Sequence, residues 1–228
     1  MERSRNNYNR NLEIKLTVSE QISEQKAELR KTLRSEISAF VSDGCARQEA
    51  ENKASSLFLE SEFYKNASIV FCFLSCKNEI STNRIIAKCI QDEKPVALPR
   101  IIEGTNGMDF YVLSNIPLKS QTEPGSYGIL EPKTSLKKID VRFVPKNAVM
   151  LLPGLAFSKD GTRLGKGKGF YDVYLERLLS QSKSFLNTGK KIGYCYKIQL
   201  KENIPCDQND KKVDLIICED GIFNIQSD

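Results

Sequence analysis

The chain of 228 residues contains no histidine. That removes a Ser-His-Asp triad, a Cys-His dyad and every His-ligated metal centre. Any catalysis falls to carboxylates, cations, hydroxyls and backbone dipoles, and any metal should be a hard, oxygen-ligated cation such as magnesium. Long apolar runs are also missing. No segment approaches the ~20 apolar residues of a membrane-spanning helix, and the N-terminal MERSRNNYNRNLEIKL has no apolar stretch fit for a signal peptide. The expectation is a cytoplasmic protein with no membrane partner.

The seven cysteines form no CxxC pair and leave one over if paired, so they read as reduced thiols, with Cys72 and Cys218 in IVFCFL and DLIIC as small buried hydrophobes. A net charge of +5 is a mild bias, and the lysines are dispersed among acids. Clusters of basic residues interleaved with aromatics, the pattern of a nucleic-acid binder, do not occur. Nucleic acid is therefore not an expected partner. With 40% hydrophobic and 28% charged residues, the composition is that of an ordinary globular protein.

Residues 1–18 are polar and Asn/Arg-rich and read as a flexible N-terminal extension. Residues 19–228 read as one domain. Its first helix places Ile22, Leu29, Leu33, Ile37 and Phe40 near one stripe, and a second helical stretch follows Gly44. Short apolar segments (ASIVFCFL, KPVALPRI, MDFYVL, NAVMLLP, KKIGYCY, VDLIICE) then alternate with helical ones (TNRIIAKCIQDE, FYDVYLERLLSQ). This alternation predicts an α/β fold, a single domain with a mainly parallel central sheet flanked by helices.

The segment LLPGLAFSKDGTRLGKGKGFYDVYLERLL carries the chemistry. Gly165, Gly167 and Gly169 lie between a predicted strand and a helix whose apolar stripe is Tyr171, Tyr174, Leu175, Leu178 and Leu179. Glycines there let backbone N–H groups and the positive end of the helix dipole face an anion, and Arg163, Lys166 and Lys168 add charge-assisted contacts. The loop is one residue short of a P-loop and is not the dinucleotide fingerprint. A flexible basic surface turn is the plainer alternative. Asp172, in the first helical turn, reads either as a complement to the helix dipole or as a magnesium ligand beside phosphates.

LPGLAFSKDGTRLGKGKGFYDVYL resembles the signature of the 5-formyltetrahydrofolate cyclo-ligase family (methenyltetrahydrofolate synthetases), PGxxFD…G.RLGxGxGYYDxYL. The resemblance extends from about Lys26 and includes KAELR, LSCKNEIST, LPR, GSYGILEP and IPCDQNDKKVDLIICED, in order. It implies a ligase that uses ATP and magnesium to convert 5-formyltetrahydrofolate, with or without a polyglutamate tail, into 5,10-methenyltetrahydrofolate, ADP and phosphate. A monomer or weak homo-oligomer is expected.

By the same resemblance, Lys26 and Arg30 match ATP-phosphate contacts; read without it, they are an ordinary solvated helix face. Arg163, Leu164, Gly165, Lys166, Gly167, Lys168, Gly169 and Phe170 match the nucleotide loop that meets the formyl group, with Lys168 and Arg163 as the catalytic cations. Tyr171 matches an ATP- and substrate-side position, although its spacing fits the core stripe equally well. Asp172 and Asp210 match magnesium-associated carboxylates. Leu74 and Glu79 match contacts to the pterin, and Tyr127 falls where some relatives carry an aromatic residue beside the folate. Alone, Glu79 reads as an early-turn helix carboxylate near Thr82, and Tyr127 as a turn-flanking tyrosine.

Three positions depart from the pattern: Ser158 stands where the family often has Asp, Phe170 where it has Tyr, and Asn209 where many members have His. Other classes kept open are a sugar-phosphate isomerase or acyl-CoA transferase on a related scaffold, and a folate or nucleotide sensor without turnover.

Overall fold

The computed structural model describes residues 2–225, with side chains from Val18 onward. The expected extension over residues 1–18 therefore lies almost wholly outside the described side chains.

The first helix (Glu2–Ser42) is followed at once by a second (Gly44–Glu60). Asp43 makes the break: its Oδ1 accepts the Cys45 and Ala46 N–H groups, both at 3.0 Å, so it caps the second helix and turns the chain. Ser61 ends that helix and caps the short helix Glu62–Lys65 in the same way. Sequence periodicity merges these two helices, because a one-residue cap leaves the apolar pattern unbroken.

Eight strands form the central sheet. In spatial order they are Gly221–Asn224, Leu215–Cys218, Lys190–Tyr194, Val149–Leu152, Val70–Phe71, Val96–Ile101, Met108–Val112 and Lys137–Lys138. The five from Leu215–Cys218 to Val96–Ile101 run parallel, and the outer strands pair antiparallel. This is the expected architecture, with antiparallel edges added. Alternate residues of the inner strands feed two cores. Val70, Cys72, Val149 and Leu151 face Phe58 and Ile85, whereas Phe71, Met150 and Leu152 face Tyr174, Leu175 and Leu178. Each such large apolar side chain contributes about 1.5–3 kcal/mol on burial. Helices thus cover both faces.

The order of the strands positions the site. From Val70–Phe71 the chain moves to Val96–Ile101 on one side and later returns to Val149–Leu152 on the other. The crevice beyond the carboxyl ends of these two diverging neighbours is where open α/β sheets bind ligands. Phe73 and Leu74 leave one strand there, and Pro153 and Gly154 leave the other.

Two small ribbons complete the rim. Ala156–Ser158 pairs antiparallel with Arg163–Leu164 and parallel with Leu200–Lys201, while Thr122–Pro124 pairs with Leu130–Pro132. The turn of the first ribbon needs Gly161 at φ +84, where an added Cβ would sit 2.6 Å from the Val213 carbonyl oxygen. Among the described residues, no helix is long and apolar enough to cross a membrane.

Candidate active site

A cleft of about 890 Å³ opens at this switch point, toward the upper end of the ~300–1,000 Å³ of small-molecule pockets. All the residues singled out by the sequence line it: Lys26, Arg30, Leu74, Glu79, Tyr127, the loop from Arg163 to Gly169, Phe170, Tyr171, Asp172 and Asp210. The topology divides its walls by chemistry. Pro99, Ile101 and Met108 come from the strands on one side of Val70–Phe71, and with Leu130 they form an apolar wall. Cations come from the first helix and the glycine loop.

The ribbon delivers Arg163 to the floor, 5% exposed. Its guanidinium donates to Asp172 Oδ1 at 2.7 Å and to the Pro153 carbonyl at 3.2 Å, and it lies 5.7 Å from the centre of the Tyr171 ring. Its Nε is buried without an acceptor among the described residues. A buried donor left unpaired costs about 1–3 kcal/mol, which makes it a receptive point for an anion.

The loop then crosses the first helix. Arg30 Nε donates to the Gly165 carbonyl at 3.0 Å, and an added Cβ on Gly167 would lie 3.4 Å from the Arg30 guanidinium. Gly167 and Gly169 take φ of +96 and +74, left-handed values that side chains other than glycine resist. Gly169 starts the helix Phe170–Gln181, and no side chain caps it. The N–H groups of its first turn, which have no intrahelical acceptors, are therefore left for something else at the mouth of the cleft.

The two loop lysines part company. Lys166 pairs with Glu79 at 2.6 Å, and Glu79 also accepts the Cys76 N–H at 2.8 Å. Burial works to lower the Lys166 ammonium, but the Glu79 carboxylate outweighs it and the net shift is upward. Lys168 is exposed, has no carboxylate partner among the described residues, and stands over the Tyr127 ring at 5.9 Å. Tyr127 in turn meets Phe170 edge-on, with ring centres 6.3 Å apart.

Two plain readings of the sequence need correction, and a third is met on both counts. Lys26 is not on a solvated face: it is 6% exposed, because it falls on the stripe that runs from Ile22 to Leu33. Glu79 is not in the first turn of a helix, since the helix Asn83–Gln91 begins four residues later. Tyr171 meets both of its readings, since it packs partly buried against the core that holds Tyr174 and also faces the cleft. Burial, with the Glu79 charge adding to it, pushes its hydroxyl well above the ordinary value.

Lys26 donates to Asp207 Oδ2 at 2.6 Å and to Asp210 Oδ2 at 2.5 Å. Asp207 was not among the residues the sequence singled out. Its signal is its position three residues before Asp210, which brings both carboxylates to one turn. Glu131, buried on the cleft wall, was also missed. Of the departures, Phe170 and Asn209 line the cleft but Ser158 does not: 1% exposed, it donates to Asp160 at 2.5 Å.

Magnesium takes one or two carboxylates together with phosphate or water oxygens. Asp172 uses Oδ1 for Arg163, and Asp210 uses Oδ2 for Lys26, so each keeps one carboxylate oxygen without a partner among the described residues. No three acidic, cysteine or histidine groups converge among the described residues. Such a site cannot cage a metal alone, but it fits magnesium arriving with a polyphosphate, since that ion takes one or two carboxylates plus phosphate oxygens.

Fold and site together define an α/β protein with a glycine- and cation-rich loop beside an apolar wall. Residues 22–219 match the model of the 5-formyltetrahydrofolate cyclo-ligase family. The chain is 34% identical over 166 residues to the 5-formyltetrahydrofolate cyclo-ligase of Mus musculus, covering 69% of this chain and 76% of that protein. It is 30% identical over 174 residues to the 5-formyltetrahydrofolate cyclo-ligase of Saccharomyces cerevisiae, covering 68% and 78%. The NMR structure of Aquifex aeolicus 5,10-methenyltetrahydrofolate synthetase superposes with a TM-score of 0.71 at 27% identity, covering 90% of this chain and 94% of that one. The chain belongs to the 5-formyltetrahydrofolate cyclo-ligase family, and it is a ligase.

Proposed function

We propose that this cleft converts 5-formyltetrahydrofolate into 5,10-methenyltetrahydrofolate at the expense of ATP and releases ADP and phosphate. One observation carries the ATP requirement. The glycine loop leads into a helix without a side-chain cap, in the same cleft as Lys168, which has no carboxylate partner among the described residues, and as the buried guanidinium of Arg163, whose Nε has no acceptor among them. A carboxylate-free cation and open N–H donors suit a transferred phosphoryl group.

A formamide oxygen is a poor leaving group, so the neighbouring ring amine closes slowly onto the formyl carbon. Transfer of the γ-phosphoryl group to that oxygen makes it a good one. The amine then forms the new C–N bond, and phosphate departs with the former formyl oxygen. Such transfer depends on positioning and charge neutralisation more than on a strong base, in keeping with a chain that has no histidine.

Each residue has a part in this scheme. Lys168 and Arg163 neutralise charge on the transferred group, and the loop from Leu164 to Gly169, with Phe170 and Tyr171, cradles the phosphates. Lys26 and Arg30 hold the nucleotide from the first helix. Asp172 and Asp210 hold magnesium, which when bound supplies charge neutralisation at the phosphate oxygens. Leu74, Glu79 and Tyr127 hold the folate against the apolar wall, with Lys166 holding Glu79. The folate, with or without its polyglutamate tail, is the partner. The protein acts in the cytoplasm as a monomer or weak homo-oligomer.

The test is Lys168→Ala. Turnover should fall by about a hundred- to a thousandfold, the usual loss when one transition-state donor is removed, while thermal unfolding is unchanged. Near-normal turnover would remove Lys168 from the centre of the scheme.

A further inference from the structure

The turn from Asp207 to Asp210 is asymmetric in a way that separates its two carboxylates. Asp207 has both oxygens engaged: Oδ2 takes the Lys26 ammonium at 2.6 Å, and Oδ1 takes the Asn209 N–H at 2.8 Å. Asp210 has only one engaged. Its Oδ2 accepts Lys26 at 2.5 Å and the Asp207 N–H at 2.8 Å, while its Oδ1 has no partner among the described residues. The Asp210 N–H closes the turn on the Asp207 carbonyl at 3.2 Å.

Lys26 is correspondingly well held. It is 6% exposed, and its ammonium meets both carboxylates at once, Asp207 at 2.6 Å and Asp210 at 2.5 Å. An ammonium has three N–H groups, of which two are used here. The third remains on a side chain that lines the cleft.

From this asymmetry we infer that Asp207 is the positioning residue for Lys26, and that Asp210 is a replaceable partner. When a nucleotide enters, Lys26 would turn from Asp210 toward the phosphates, and Asp210, with Oδ1 unpartnered among the described residues, would be left to hold magnesium, which would supply charge neutralisation there. Lys26 stays tethered to Asp207 and turns its freed N–H groups to the phosphates. Asp207 thus acts through Lys26 and touches neither metal nor substrate. Asp207 is itself held in place, because its Oδ1 accepts the Asn209 N–H. This inference rests on the nucleotide reading of the cleft given above.

The experiment measures binding of ADP by calorimetry to the full-length protein, with and without magnesium, alongside the KM for 5-formyltetrahydrofolate and kcat. Asp207→Asn should weaken ADP about tenfold both with and without magnesium, the size of one lost charge-assisted contact, while the magnesium enhancement itself persists. The folate KM should change far less than the ADP affinity, and Asp207→Glu should restore most of the ADP affinity. Asp210→Asn should behave differently and lose the magnesium enhancement.

Three results overturn the inference. Unchanged ADP affinity in Asp207→Asn would show that Lys26 needs no tether. Loss of the magnesium enhancement in Asp207→Asn would make Asp207 a metal ligand instead. Equal losses of ADP and folate affinity together with a lowered Tm would make it a merely structural residue. If the unmodified protein binds no ADP at all, the nucleotide reading fails first and the inference falls with it.

Discussion

Arg163 and Asp172 form a pair at 2.7 Å across the mouth of the helix Phe170–Gln181, and Asp172 Oδ2 is left without a partner among the described residues. The pair gives one carboxylate two duties, holding a buried guanidinium and presenting an oxygen toward the cleft. Asp172→Asn keeps the hydrogen-bond acceptor but removes the charge. A magnesium titration of turnover should shift to about tenfold higher metal or lose activity outright, with a stability cost of about 1–3 kcal/mol. An unchanged titration would leave Asp172 as a complement to the helix dipole alone.

The glycine loop makes a prediction from backbone geometry. Gly169 has open space where a Cβ would go but sits at φ +74, so Gly169→Ala tests conformation without a clash. The left-handed strain should cost about 1–2 kcal/mol. It should reach nucleotide affinity before folate affinity, since the loop meets the phosphates. Chemical denaturation and separate KM measurements for ATP and folate would show the split. Equal KM values in both forms would make the loop a mere connector.

Tyr127 is 67% exposed and held at φ 56, strained for a non-glycine residue. Tyr127→Gly relaxes that backbone and removes the ring beside Phe170 and Lys168. We expect a Tm that holds or rises, together with a folate KM raised by about tenfold. A fall in Tm with an unchanged KM would show that the ring serves the fold rather than the substrate.

Ser158 yields a prediction about acid stability. Burial works to raise the Asp160 carboxyl, but Lys212, the Ser158 and Thr162 hydroxyls and the Thr162 N–H outweigh it and hold the group well below its ordinary value. A depressed carboxyl stabilises the fold above its unfolded pKa of about 3.9, and that contribution is lost as pH falls through the folded value. Ser158→Ala should therefore destabilise by about 1 kcal/mol near neutral pH, and the difference should shrink in strong acid. Turnover should be unaffected, because Ser158 faces away from the cleft. A large loss of turnover would mean that this departure from the family pattern matters to catalysis.

Much of this was legible in the residues themselves. Helix Phe170–Gln181 begins and ends where its periodicity says, and Tyr174, Leu175 and Leu178 are its buried face. The parallel strands announced themselves as apolar, β-branched runs. The short ladders Leu130–Pro132 and Arg163–Leu164 did not, because no longer apolar run surrounds them as ASIVFCFL surrounds Val70–Phe71. The ribbon that delivers Arg163 and the hairpin that carries Tyr127 were invisible for that reason. The stripe reading of the first helix omitted Lys26, although its spacing from Ile22 and Leu33 places it there, because a lysine counts as polar until its partners are known. Those partners, Asp207 and Asp210, lie more than 180 residues away. No local pattern connects them.

The most direct measurement follows the absorbance of 5,10-methenyltetrahydrofolate when the purified protein is mixed with 5-formyltetrahydrofolate, ATP and magnesium, each omitted in turn. The account predicts product only when all three are present, with one ADP formed per methenyltetrahydrofolate. Product without ATP, or a folded protein that binds nucleotide and forms no product, would contradict it.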